Sequence, residues 1–130
     1  MGLLKKIFGS NQSLEKEEKI IPWNRLSSLD QLDVIVEESL KSPIAIFKFS
    51  TRCGTSRMAL RQFERQYNTE NNIVKLYFLD LITFREVSNE IAIRFQVLHH
   101  SPQLIVIKNG ITVHHSSHYS IDAGLLERFV

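Results

Sequence analysis

Apolar and polar positions along this chain switch between two spacings, and the switches mark its elements. Ile20 to Trp23 is short, apolar and broken by Pro22, which suits an edge strand. Ser28-Leu29-Asp30-Gln31 carries Gln three residues after Ser, the pattern of a capping box. It predicts a helix with Leu29, Leu32, Val36 and Leu40 on its inner face and Asp33, Glu37 and Glu38 opposite. Lys41-Ser42-Pro43 stops that helix, because a residue before proline is pushed out of the helical region. Ile44 to Phe49 is a dense apolar run carrying only Lys48, and reads as a buried strand. A helix follows from about Thr55 to Tyr67, with Ala59, Leu60, Phe63 and Tyr67 inward. Ile73 to Leu79 is another apolar strand. Thr83-Phe84-Arg85-Glu86 is a second capping box, opening a helix whose inner face is Val87, Ile91 and Phe95. Gln103 to Lys108 and Ile111 to about His115 form two strands around Asn109-Gly110, the strongest short hairpin signal. Ser120 is the expected cap of a last short helix, with Leu125, Leu126 and Phe129 inward.

Strands alternate with helices until the closing hairpin. The crossovers predict parallel pairs with helices on both faces, and the hairpin adds an antiparallel edge. That order is the thioredoxin-like α/β fold, a central mixed sheet of four to five strands. Residues 1–19 read as a flexible N-terminal segment and 20–130 as the domain. Leu3 to Phe8 offers at most one amphipathic turn, ended by Gly9-Ser10-Asn11.

Composition narrows the function. The 130 residues suit one domain, and 43% apolar with 23% charged residues is ordinary for a globular core. A net charge of +2 argues against nucleic acid as a partner. No apolar run approaches the roughly 18 residues of a membrane span. Lys6 stands where a myristoylation motif needs Ser or Thr. Cys53 is the only cysteine, so no intramolecular disulfide forms, and a reducing cytoplasm is the expected compartment.

Cys53 falls where a buried strand ends and a helix begins. The first helical N–H groups lack intrahelical partners, and their dipoles favour a thiolate there, with Arg52 adding a cation. A lone cysteine is often an inert buried hydrophobe. The neighbours Arg52, Gly54, Thr55 and Ser56 are not a core lining, so the reactive reading is preferred. Ser56 stands where a dithiol exchanger carries its second cysteine. Any exchange therefore stops at a mixed disulfide until an outside thiol arrives.

Arginines at 57, 61 and 65 continue a four-residue ridge from Cys53. Arg57, one turn from the thiol, is the candidate for reading a carboxylate, with Arg52 beside it. Arg61 and Arg65 read as a solvated face diluted by Glu64. Ser101-Pro102 is expected to be cis, with the Ser101 backbone facing the cysteine. All five histidines lie between 99 and 118, at spacings that match no standard zinc pattern, so no metal site is expected. His99 and His100 are the pair placed to approach substrate and thiol.

With these residues in place, the sequence resembles the monothiol bacilliredoxin family. The resemblance rests on Ile46-Phe47-Lys48-Phe49-Ser50-Thr51-x-Cys53-x-x-Ser56, on His99-x-Ser101-Pro102-Gln103 and Lys108-Asn109-Gly110, and on Ser117-His118-Tyr119-x-Ile121. It implies that Cys53 is the nucleophile of thiol–disulfide exchange with bacillithiol, a glucosamine–malate–cysteine thiol. S-thiolated proteins would be the partners, and this or a similar acidic thiol the co-substrate, with no tightly bound cofactor. Gly54-Thr55 stands where relatives tend to carry Pro-Ile, and Tyr119 where they carry Trp. Phe47 replaces the buried acid of thioredoxin, six residues before the nucleophile. Two other readings are a noncatalytic thioredoxin-like binding module or thiol-stress sensor, and a glutathione-type protein sharing an iron–sulfur cluster. The last would be coloured and dimeric.

Overall fold

The computed structural model describes residues 19–70 and 73–130. The expected segment 1–19 therefore lies, except for Lys19, outside the described residues. In chain order the elements are β1 (Trp23–Arg25), α1 (Asp30–Ser39), β2 (Ile44–Phe49), α2 (Gly54–Gln66), β3 (Lys75–Asp80), α3 (Arg85–Arg94), β4 (Gln103–Lys108) and β5 (Ile111–Ser117). Two 3₁₀ turns follow, His118–Ser120 and Ala123–Phe129.

One five-stranded mixed sheet runs in the order β1-β3-β2-β4-β5. β1, β3 and β2 are parallel, as two crossovers require. The third departs from expectation: β4 lies antiparallel to β2. The reason is the return path. Phe95, after α3, accepts from Thr112 Oγ1 at 2.7 Å, near the hairpin end of the sheet. The seven residues 96–102, reaching up to about 23 Å when extended, then carry the chain to the other end. There Gln103 pairs with Lys48. β4 thus begins where β2 finishes, so Pro102 and the chain leaving Phe49 share one sheet end. Asn109 and Gly110 turn the hairpin with φ of 56° and 80°, the two positive values that its turn type demands.

The pleat divides the core. Ile44, Ile46, Tyr77, Leu79, Ile105 and Ile107 face α1 and α3. Ala45, Phe47, Phe49, Leu76, Leu104 and Val106 face α2 and the C-terminal turns. Under α2 the filling is aromatic: the Phe47 ring lies 5.5 Å from Phe63 and 6.0 Å from Trp23. Each such buried ring stabilises by roughly 1.5–3 kcal/mol relative to exposure.

Local details correct several expectations. The inner face of α1 is Leu32, Ile35 and Ser39, while Leu29 and Leu40 are exposed. The two exposed leucines are the cap residues at the ends of the helix. Only half of the first capping box forms. Gln31 Oε1 accepts from Ser28 N at 3.0 Å, whereas Leu29 takes the cap position without a side-chain bond. In the second box Thr83 Oγ1 donates instead to Asp80 Oδ2 at 2.9 Å, since the Asp80 carboxylate already gathers the Ile82 and Thr83 N–H groups. The last helix is 3₁₀, and Asp122, not Ser120, caps it by accepting from Gly124 N at 2.8 Å. Ala123 and Leu126 point inward there, and Leu125 is half-buried.

Candidate active site

Cys53 is the N-cap residue of α2, in extended conformation at φ −113° and ψ 119°. A short web of serines builds that corner. Cys53 N–H donates to Ser50 O at 3.2 Å, and Arg52 N–H to Ser50 Oγ at 3.3 Å. Ser56 is fully buried, and its hydroxyl accepts from Ser50 N–H at 3.2 Å. That bond occupies a lone pair of Ser56 Oγ and leaves its proton for the sulfur. The thiol is partly exposed. Its pKa is lowered, chiefly by the Ser56 backbone N–H, then against partial desolvation by the Ser56 hydroxyl and the Thr55 N–H and hydroxyl. These groups hydrogen-bond the anion better than the thiol. Arg52 is not among them, which corrects the sequence-based assignment of part of the effect to its charge.

Arg57 folds back over the same corner. Its Nη1 donates to Thr51 O at 3.2 Å, and its Nη2 lies 3.8 Å from where a Cβ on Gly54 would sit. Arg57 therefore braces the loop that carries the nucleophile. Arg61 and Arg65 lie further along α2, exposed. Glu64 keeps its charge but turns to Trp23, accepting from its Nε1 at 2.7 Å, and pairs with neither arginine.

Ser101–Pro102 is cis, at the sheet end shared with Cys53. The Ser101 hydroxyl is buried without a hydrogen-bond partner among the described residues. Behind this loop lies a residue whose role the sequence reading passed over. Lys48 is fully buried, and its Nζ meets His99 Nδ1 at 3.0 Å. Burial pushes the Lys48 ammonium down to about 8. Desolvation first, then the charges of Lys48, Arg85 and His100, lower the His99 pKa. Gln103, across the ladder from Lys48, is also buried. It accepts from His100 N–H and donates to Leu98 O, fixing the approach to the cis bond. His99 thus serves the Lys48 face, and neither His99 nor His100 is among the groups that shift the thiol. The signal for Lys48 was present in the sequence: one charge inside an otherwise apolar strand.

Among the described residues, no three His, Cys, Asp or Glu side chains gather as a metal site would require. No described helix is long and apolar enough to cross a membrane. What remains is a nucleophile's corner: a thiolate-favouring cysteine, a hydroxyl where a resolving thiol would stand, and a cis-proline loop at the same sheet end.

Known proteins share the fold. A solved thioredoxin-fold chain described as a candidate oxidoreductase is 29% identical, with a TM-score of 0.70 over 82% of this chain and 92% of that one. Thioredoxin from Fasciola hepatica is 22% identical, with a TM-score of 0.62 over 82% and 95%. Malassezia sympodialis thioredoxin is 19% identical, with a TM-score of 0.63 over 84% and 90%. These two share the fold, and fold alone leaves function open. The family described as monothiol bacilliredoxin BrxC matches residues 24–126, which includes every site residue above. Fold and family together support a thiol oxidoreductase-type role, and the chain belongs to the monothiol bacilliredoxin family.

Proposed function

We propose that the protein removes a small thiol from S-thiolated proteins, in the first place bacillithiol, by exchange at Cys53. One observation carries the reading: the sole cysteine caps α2, partly exposed, with its thiolate stabilised by Ser56 and Thr55. The Cys53 thiolate attacks the small-thiol sulfur of a protein mixed disulfide. A Cys53–S–S–small-thiol bond forms, the substrate S–S bond breaks, and the protein thiolate leaves with the electron pair. A second molecule of the small thiol, as thiolate, then attacks the small-thiol sulfur of the adduct. It frees Cys53 and departs as a symmetrical disulfide. A reducing cytoplasm that maintains such a thiol pool is part of this proposal, and no tightly held cofactor enters it.

Ser56 gives the test. Incubated with oxidised bacillithiol, the wild type accumulates a one-to-one adduct in intact mass, and Cys53→Ser does not. Ser56→Cys places a thiol one turn from the adduct, so that variant releases the small thiol and ends two hydrogens lighter. Parallel incubation with oxidised glutathione ranks the two thiols. A wild type that forms no adduct with either overturns the exchange reading in favour of a binding module.

A further inference from the structure

A groove of about 280 Å³ lies along α2 from Met58 to Arg65. Met58, Arg61, Gln62 and Arg65 form one wall, and His118 and Tyr119 the other. Its charge is uniformly positive. Among the described residues neither arginine has an ion-pair partner. Glu64, the acid of this helix, is held by Trp23. Outside the groove, Lys19 Nζ donates to the Arg65 carbonyl.

The opposite wall is fixed to the active corner. His118, at φ 54°, donates its N–H to Pro102 O at 3.1 Å, and its ring meets His100 edge-on at 5.8 Å. Met58 and Tyr119 are 57% and 76% exposed, leaving an apolar body on each side of the cations without a partner. Such a lining suits a small molecule with carboxylates and a compact body.

We propose that this groove holds the carboxylate-bearing part of the small thiol while its sulfur exchanges at Cys53. Arg61 and Arg65 pair the carboxylates, and Met58 and Tyr119 flank the body. The inference deepens the exchange reading and rests on it. Reach sets the order of the two arginines: at 1.5 Å per residue, Met58, Arg61 and Arg65 lie about 8, 12 and 18 Å along the helix from Cys53, so Arg61 is the inner contact and Arg65 the outer one. A thiol as long as three extended residues spans about 10 Å. Helical side chains in general lean toward the N-terminus, the direction in which Cys53 lies from both arginines.

The test compares rates with oxidised glutathione, which bears carboxylates, and with bis(2-hydroxyethyl) disulfide, which is uncharged. In Arg61→Ala/Arg65→Ala the ratio of the two rates falls about tenfold, the scale of one lost charge-assisted contact. Lys41→Ala/Arg128→Ala removes the same net charge elsewhere and leaves the ratio unchanged. An unchanged ratio in the groove variant, or an equal fall in the control, overturns the proposal. A wild type inert toward both disulfides overturns the exchange reading instead. The groove is then judged by titrating oxidised glutathione into Cys53→Ser. NMR shifts at His118, Tyr119 and the α2 amides sustain it, and their absence overturns it.

Discussion

Phe47 and Lys48 are neighbours on β2, and both are fully buried, yet the pleat sends them to opposite faces. On the Phe47 side the sheet meets α2 through a ring cluster of Trp23, Phe47, Phe63 and Phe78. No charge from this cluster reaches the thiol. On the Lys48 side a buried ammonium has a single contact among the described residues, His99, whose pKa is lowered by the charges of Lys48, Arg85 and His100 after desolvation. The contrast bears on chemistry. A dithiol exchanger must deprotonate a second, buried thiol, and a titratable group beneath the helix serves that step. With Ser56 in that place there is no such proton to remove, and an apolar ring beneath α2 costs the reaction nothing. The nucleophile is tuned entirely from above, by the helix end and two hydroxyls.

The strongest way to break this comparison is to remove the ring. Phe47→Ala leaves a cavity among three other rings and is expected to cost about 3–5 kcal/mol in urea unfolding. Because no charge is altered, the pH profile of Cys53 alkylation in the remaining folded protein should keep its midpoint. A cost below about 1 kcal/mol would show that the ring cluster does not support α2, and a moved midpoint would show that the two sides are electrically coupled.

The opposite face answers to pH. Lys48 has a folded pKa of about 8, below its ordinary 10.5. Between those values the unfolded chain holds a proton that the folded protein has released, so stability rises with pH across that window. Below about 8 the buried charge is present and its cost is complete. Lys48→Met removes the charge and keeps the volume, and should stabilise the protein by about 1–2 kcal/mol at pH 7. The advantage should shrink toward pH 10. His99 works in the same direction at lower pH. Its folded pKa lies below 6.5, so stability is lost as pH falls through 6.5 and the unfolded chain takes up the proton. Lys48→Met removes one cause of that shift and should flatten the acid limb. Denaturation curves across pH 5–10 for the two proteins read both effects, and parallel curves would refute the assignment to Lys48.

How much of this was legible follows from how far apart the deciding groups lie in sequence. The central strand Ile44–Phe49, the strand Gln103–Lys108, the helix after Cys53 and the Asn109-Gly110 turn depend on local spacing and φ preferences, and they appear as read. The edge strand expected at Ile20 to Trp23 instead forms at Trp23–Arg25, and the strand expected from Ile73 starts at Lys75. Side-chain partnerships did not. Glu64 bonds Trp23, 41 residues away, and so makes no ion pair with Arg61 or Arg65, its neighbours on the same helix. The Thr83 hydroxyl is drawn to Asp80, which the strand end brings within reach, and the following helix starts without a side-chain cap. Lys48 looked like a lone charge in a strand. Its meaning depends on His99, 51 residues on, at the approach to the cis-proline loop.

The smallest expected effect probes the other term of the comparison, the tuning of Cys53 from above. Ser56→Ala deletes the hydroxyl shared between Ser50 N–H and the sulfur. Ser50 N–H is left without its acceptor at a buried site, which should cost about 1 kcal/mol of stability. The thiol should also move, because one hydrogen bond to the thiolate is lost. It should move only part of the way. The largest cause of the depression is the Ser56 backbone N–H, which alanine keeps, and the Thr55 groups are untouched. Iodoacetamide rates measured against pH should therefore show a midpoint above the wild type and still below that of an ordinary cysteine. No movement would mean that the hydroxyl proton is not on the sulfur. A full return to the ordinary value would assign the whole effect to the hydroxyl and none to the helix end, and the corner would then be a serine device rather than a helix device.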